Sequence, residues 1–306
     1  MMRLTEIPLS VWRTRSHEFT FRGQPIRYWT AGQGEPLLLI HGFPTASWDW
    51  HYLWQPLARQ YRVIACDMLG FGDSAKPRNH AYSLIEQADL QQALLAHLRV
   101  SQPVHLLAHD YGANVAQELL ARHCERRFAL ASCVFLNGGL FPECHRLVRM
   151  QKLLLGRIGW LVGRMFDRDT LDQEFGRLFG PHTRPSESQL DDFWSLITAA
   201  NGHHLLNRLI GFIPERLALR DRWVRAMQET EVAIRFINGA ADPVSGKHMI
   251  DRYRELIPEP DTVLLSSIGR YPHIEAPALV LRHYESFRAA TPCPAILPLP
   301  SLAAVV

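Results

Sequence analysis

Ala108-His109-Asp110-Tyr111-Gly112 joins a short apolar run to an amphipathic one and sets a carboxylate between small residues. A sharp strand-to-helix turn that presents a nucleophile tolerates only small side chains two positions before and two after it. Ala108 and Gly112 meet that demand, with Val104 to Ala108 as the strand and Gly112 to His123 as the helix. Asp110 at the point of such an elbow faces a pocket, and the helix N-terminus beneath it favours the charged form. A carboxylate there attacks an electrophilic carbon and forms an alkyl-enzyme ester, which water then cleaves. A plain turn carrying an aspartate is the alternative, and the surrounding motifs weigh against it.

His41-Gly42-Phe43-Pro44 directly follows the apolar run Pro36 to Ile40. A backbone N–H after such a turn works with the N–H that follows the nucleophile to hold an oxyanion, which names Phe43 and Tyr111. His41 fits a structural hydrogen-bonding role beside them. The turn-rich segment Asp67 to Ser74 fits a supporting loop, with Asp67 capping local amides and Asp73 either supporting or simply solvated. Asp242 lies in Gly239-Ala240-Ala241-Asp242-Pro243, just past the apolar run Val232 to Asn238. Ligands of open α/β sheets gather at the carboxyl ends of strands, so this is where an acid orienting a catalytic histidine would lie. An N-cap for the next helix is the other reading of Asp242.

The elements that must position these groups alternate. His17 to Arg22 and Ile26 to Ala31 form a hairpin pattern across Gly23-Gln24-Pro25. Trp48 to Gln60 predicts a helix, Arg62 to Cys66 a strand, and Ser83 to Leu98 a helix with Ser83 and Glu86 spaced as a capping box. Leu130 to Leu136 is a further buried strand. From Phe141 to about Gln228 helical runs alternate with Gly and Pro breaks, without a strand signal. Val232 to Asn238, Ser245 to Ile257, Thr262 to Leu265 and Ala276 to Ala290 then predict strand, helix, strand, helix. Such alternation implies a mostly parallel central sheet flanked by helices. The expected division is a core of residues 1–140 and 229–290, an inserted helical cap over 141–228, and a disordered tail over 291–306.

Composition narrows the partners. The chain has 306 residues, 47% of them hydrophobic, enough for a sizeable core. A formal net charge of +3 is too small to argue for nucleic acid or an anionic membrane surface, and no nucleic-acid partner is expected. The arginines between 146 and 225 alternate with acids as on solvated helix faces, a basic partner surface being the lesser reading. Five cysteines without a CxxC pair indicate free thiols in a reducing, cytoplasmic setting. There is no secretory h-region, and no apolar run reaches the ~20 residues of a membrane span. Neither a P-loop nor a GxGxxG follows a strand, HExxH is absent, and His203-His204 reads as a surface pair, so no cofactor or metal is expected. Oligomeric state is not legible from the chain.

At this point the chain resembles α/β-hydrolase-fold proteins of the branch that holds epoxide hydrolases and haloalkane dehalogenases. His41 to Pro44, Asp67 to Ser74, His109 to Gly112, Gly239 to Pro243 and Ile274-Glu275-Ala276-Pro277 carry the resemblance, over most of Pro36 to Phe287. Within that branch Asn137 to Glu143 with His145-Arg146, and Gly180 to Glu187, are similar to signatures of the mesoderm-specific transcript family. The resemblance implies an α/β-hydrolase fold, Asp110 as nucleophile, Asp242 as acid, and a small or medium apolar electrophile as substrate.

The resemblance also implies a histidine in the loop after the last strand, and Arg270 occupies its position in Ile268-Gly269-Arg270-Tyr271-Pro272-His273. Arginine stays charged and cannot take a proton from water. Three readings follow: ester hydrolysis is crippled, His273 serves as base, or the protein binds ligand without catalysis. A capping or surface role is the simpler account of His273. Epoxide hydrolases of this branch use cap tyrosines, and Phe141 to Gln228 has none. Haloalkane dehalogenases usually hold halide with a tryptophan where this chain has Tyr111. Trp48, Trp160, Trp194 and Trp223 offer indole donors, with packing as their commoner use, and Trp48 is the substrate-binding candidate among them. A β-lactone decarboxylase is the alternative substrate class.

Overall fold

The structure is a computed structural model that describes residues 4–291, so nearly all of the expected tail lies outside the described residues. Its sheet has eight strands: β1 (His17–Phe21), β2 (Gln24–Ala31), β3 (Pro36–Ile40), β4 (Arg62–Cys66), β5 (Val104–His109), β6 (Leu130–Leu136), β7 (Ala233–Gly239) and β8 (Thr262–Leu265). They lie in the order β1-β2-β4-β3-β5-β6-β7-β8. β2 runs antiparallel to β1 and β4, and the remaining neighbours pair in parallel. β3, β5 and β6 are buried along their whole length, as continuous apolar runs demand when helices cover both faces.

Most expected elements appear within a residue or two of their predicted bounds. The exceptions have local causes. Instead of one helix over Trp48 to Gln60, a 3-10 turn covers Ser47–Trp50 and a short helix covers Trp54–Ala58. The carboxylate of Asp67 grips both the amide and hydroxyl of Ser47, at 2.9 and 2.5 Å, and so fixes the start of this segment as a turn. A helix over Leu9–Thr14 was not foreseen; it docks through Trp12, stacked on Trp29 and set edge-on to Trp54. Ser83 does cap the helix Leu84–His97 by accepting from the Glu86 amide, but the Glu86 carboxylate turns to His80 and Arg22.

Between β6 and β7 the described chain forms no strand: Arg149–Leu155, Gly159–Met165, Arg168–Leu178, Glu187–Thr198 and Phe212–Glu229 are its main helices, joined by loops and 3-10 turns. The last of these packs along the helix Tyr111–Cys124 and returns the chain to β7.

Candidate active site

Asp110 stands between β5 and the helix Tyr111–Cys124 with φ 49° and ψ −111°. A non-glycine residue held at positive φ is strained, and such strain persists only where surrounding contacts fix it. The fixing contacts are close ones. A Cβ on Gly112 would collide with the carbonyl oxygens of Ile40 and His41, so only glycine lets this helix begin against β3. The elbow therefore depends on the small residues flanking its carboxylate.

Asp110 is 3% exposed and lies on the floor of an apolar pocket walled by Phe43, Leu154, Phe166, Leu171 and Phe175. Its Oδ2 accepts the Phe43 amide at 3.0 Å. Its Oδ1 accepts from Nη2 of Arg270. The other amino group of Arg270, Nη1, donates to Asp242 Oδ2 at 3.1 Å and to Ser245 Oγ at 3.2 Å. Arg270 thus bridges the two carboxylates at the ends of β5 and β7. Burial works against its charge, and the fields of Asp110 and Asp242 more than offset that, leaving the guanidinium more firmly protonated than usual.

Asp242 is not an N-cap. Its Oδ1 accepts the Val244 amide at 2.8 Å, closing a local turn, while Oδ2 accepts from Asn137 Nδ2 at 3.0 Å and Ser245 Oγ at 2.8 Å. Asn137, at φ 39°, also donates to the Gly239 carbonyl and accepts its amide, tying β6 to β7 where Asp242 emerges.

The Arg270 loop is held from three sides. Glu275 accepts the amides of Gly269 and Tyr271 at 2.8 and 2.9 Å, and on the insertion side the Gly180 amide and Thr183 hydroxyl at 2.8 and 2.6 Å. His109 Nε2–H donates to the Arg270 carbonyl at 2.8 Å. His109 is buried and neutral, its pKa lowered to about 3 by burial first and by the Arg270 charge second. Its bare Nδ1 sits 4.0 Å from Asp49, a carboxyl that burial raises well above the ordinary range.

The structure brings Phe43, Asp110, Asp242 and Arg270 together and leaves three candidates elsewhere. His273 is neither capping nor at the surface, as its simpler account held: it is wholly buried, 4.6 Å by ring centre from Trp50 and 4.4 Å from His109. Neither ring nitrogen has a hydrogen-bond partner, and His273 is not on the pocket wall. Burial, followed by the neighbouring histidines, drives its pKa well down. His41 accepts the Met68 amide on Nε2 at 3.0 Å, its pKa lowered to about 3 by burial, so it serves the loop. Trp48 donates its indole N–H to the Ile7 carbonyl at 2.9 Å and packs on His51 and Phe193, away from the pocket. Tyr111 is buried with its ring against Phe71 and Phe212, which seats its backbone at the first turn of the elbow helix.

Sequence reasoning assigned no role to two groups beside the site, the buried Arg216 and the half-buried His145. Arg216, on the helix Phe212–Glu229, donates from Nη1 to the Gly139 carbonyl at 2.8 Å, and its Nε and Nη2 are without partners. Burial lowers its pKa to about 10, a shift that the Asp110 charge opposes. A Cβ on Gly139 would meet Nη1 at the tip of this side chain and displace it from the Gly139 carbonyl. His145 packs at the same place, its pKa lowered to about 2 by burial and then by Arg216. The only sequence signal for Arg216 is an arginine on a helix whose other inward positions are apolar.

Comparison with known proteins follows the same lines. A sequence profile described as alpha/beta hydrolase fold matches residues 35–230. The chain is 39% identical over 292 residues to the mesoderm-specific transcript protein of Mus musculus, covering 91% of this chain and 87% of that one. Over a shorter stretch of 134 residues it is 36% identical to a haloalkane dehalogenase of Sphingobium indicum, covering 41% of this chain and 45% of that one. An α/β hydrolase fold protein from Burkholderia ambifaria superposes with a TM-score of 0.75 at 20% identity, covering 93% of this chain and 100% of that one.

Proposed function

This chain belongs to the α/β-hydrolase fold family, and within it to the mesoderm-specific transcript proteins, and we propose that Asp110 forms a covalent ester with a small or medium apolar electrophile that the protein then releases slowly. The observation that carries this reading is the pair of contacts on Asp110: a loop amide on Oδ2 and a guanidinium on Oδ1. In the first step Oδ1 attacks an sp³ carbon of an epoxide or haloalkane; the carbon–halogen bond breaks and halide departs with the electron pair, or the carbon–oxygen bond breaks and the ring oxygen, still on the substrate, keeps the pair and takes a proton from water. Oδ2 becomes the ester carbonyl oxygen, already facing the Phe43 amide. In the second step water adds to the ester carbon, and the Phe43 and Tyr111 amides hold the developing oxyanion.

That second step needs a base for the water proton. Arg270 has no lone pair to offer, so the position beside Asp242 supplies charge and no basicity. General-base catalysis is typically worth roughly 10²–10⁴-fold, which is the expected retardation of ester hydrolysis. The first step is slowed as well, since Oδ1 must leave Arg270 to attack. The apolar wall and the partial likeness to a haloalkane dehalogenase support the substrate class.

A ligand-binding protein without catalysis is the second reading, favoured by the same bridge, because Arg270 neutralises the carboxylate that would react. Intact-protein mass spectrometry after incubation with epoxides, haloalkanes and β-lactones decides. A mass increase that Asp110→Asn removes supports the covalent reading and names the substrate class. No adduct with any compound, together with ligand binding by calorimetry, favours the second.

A further inference from the structure

One surface of the helical insertion is used by nothing described above. Eight large apolar side chains are exposed among the described residues, and six of them are Leu153, Leu155, Ile158, Trp160, Leu161 and Met165. Met165 is 69% exposed, Ile158 56% and Trp160 53%. They sit on a pair of short helices, Arg149–Leu155 and Gly159–Met165, packed against each other, with Ile158 in the connection between them. The second helix reverses the usual amphipathic order. It turns Gly159 and Gly163 inward, where a Cβ on Gly163 would come within 3.0 Å of the His203 carbonyl, and its large apolar residues outward. Clustered exposed hydrophobic side chains of this size mark an interaction surface.

The charges of this segment point to one kind of partner. The alternation of arginines with acids expected over 146–225 fails at its start: from Cys144 to Phe166 there is no aspartate or glutamate, and Arg146, Arg149, Lys152, Arg157 and Arg164 are all exposed. None of the five pairs with a carboxylate among the described residues, whereas Arg168, Arg220 and Arg222 nearby all do. The Arg164 guanidinium lies over the Trp160 ring at 5.5 Å. Large apolar residues ringed by unpaired cations, with an exposed tryptophan among them, are what an interfacial helix presents to anionic lipid.

We propose that this helix pair docks the protein on an anionic phospholipid surface, with Leu155, Ile158, Trp160, Leu161 and Met165 entering the headgroup–acyl boundary and the five cations meeting lipid phosphates. No helix among the described residues is long and apolar enough to cross a membrane, so the contact is one of surface insertion. The inward side of the same segment, Met150, Leu154 and Phe166, lines the pocket above Asp110. Docking therefore sets the pocket roof against the lipid, where apolar compounds concentrate. The inference stands independently of whether Asp110 reacts.

The test is co-sedimentation of the full chain with vesicles of phosphatidylcholine containing about a third phosphatidylglycerol, beside vesicles of phosphatidylcholine alone. Binding to the mixed vesicles at least about tenfold tighter than to the neutral ones, and weakened by high salt, is expected. Ile158→Asp with Trp160→Asp removes binding by about tenfold or more, with circular dichroism and melting temperature unchanged. Should that variant misfold, Arg157→Gln with Arg164→Gln keeps the helices and still weakens binding to the anionic vesicles. Absence of vesicle binding by the folded parent overturns the proposal, as does full binding by either folded variant. A parent that is dimeric by light scattering, made monomeric by the apolar substitutions and indifferent to vesicles, also overturns it and assigns the face to a second copy of the chain.

Discussion

The Nε2–H of His109 donates to the backbone carbonyl of Arg270 at 2.8 Å, so the residue before the elbow carboxylate holds the loop that faces it. The Arg270 amide in turn donates to the Leu178 carbonyl at 2.8 Å, and Glu275 grips the amides on either side. The backbone at position 270 is fixed by groups that do not involve its side chain. A different side chain there inherits the same place beside Asp242.

Arg270→His follows directly. The imidazole stands next to Asp242, which orients it as a base, and Asp110 Oδ1 is freed. The covalent adduct should decay at least about tenfold faster than in the parent, read as loss of the adduct mass with time after excess electrophile is removed. An unchanged decay rate rejects the assignment of position 270 as the base position.

His273→Ala separates structure from chemistry. The ring is buried between Trp50 and His109, so its loss should lower stability by roughly 1–3 kcal/mol in urea denaturation. Adduct formation and decay should be unchanged in the parent and in the Arg270→His background. Abolished decay after His273→Ala would make His273 the base instead.

Asp242→Asn strips a charge from a buried pair. Arg270 keeps Asp110 and loses only the carboxylate at 3.1 Å, so no charge is left unpaired and the cost is about 1–3 kcal/mol. Adding Arg270→Met to this variant leaves the buried Asp110 carboxylate without its guanidinium, and the double variant should be less stable than Asp242→Asn alone. A double-mutant cycle measures the coupling, and strict additivity would mean that the bridge contributes nothing.

His51 gives a pH test away from the pocket. Burial lowers its pKa to about 4, so the folded state keeps it neutral while the unfolded chain protonates near 6.5. The unfolded state then binds the extra proton below pH 6.5, and stability from this group falls as pH falls toward 4. His51→Phe removes that proton. The stability of the parent relative to His51→Phe should drop by about 2 kcal/mol between pH 7.5 and pH 5, measured by urea denaturation at both. A pH-independent difference refutes the buried neutral assignment.

The sheet was legible because β3, β5 and β6 are short apolar runs ended by turn residues, and the elbow because Ala108 and Gly112 leave few other readings. Arg270 stands beside Asp242 because it holds the position at which the resemblance implies the histidine that such an acid orients. The burial of His273 was not legible: a histidine after proline looks the same whether it caps a helix or packs on Trp50. Glu275 carries no signal of its own in sequence, because its four backbone and hydroxyl donors come from segments some 90 residues apart. Trp48 looked free to meet a ligand because nothing in sequence shows that the Ile7 carbonyl takes its indole N–H. Long-range polar partners of this kind carry no periodicity, so they emerge only with the fold.

The helix Phe212–Glu229 is a single rod about 27 Å long at 1.5 Å per residue. At its first turn the Phe212 ring meets Phe43 and Tyr111, with centres 6.0 and 4.9 Å apart. Farther along, Trp223 and Arg222 are both anchored at 3.0 Å on the buried Glu118 of the elbow helix. A rod pinned at one point transmits tilt along its whole length, so moving the Phe212 end levers Trp223 against a carboxylate that cannot yield without losing both partners. Mechanically this helix belongs to the sheet. Whatever breathing admits a molecule to the pocket is left to the helices Arg149–Leu155 and Gly159–Met165, whose side chains make no hydrogen bond to the sheet among the described residues.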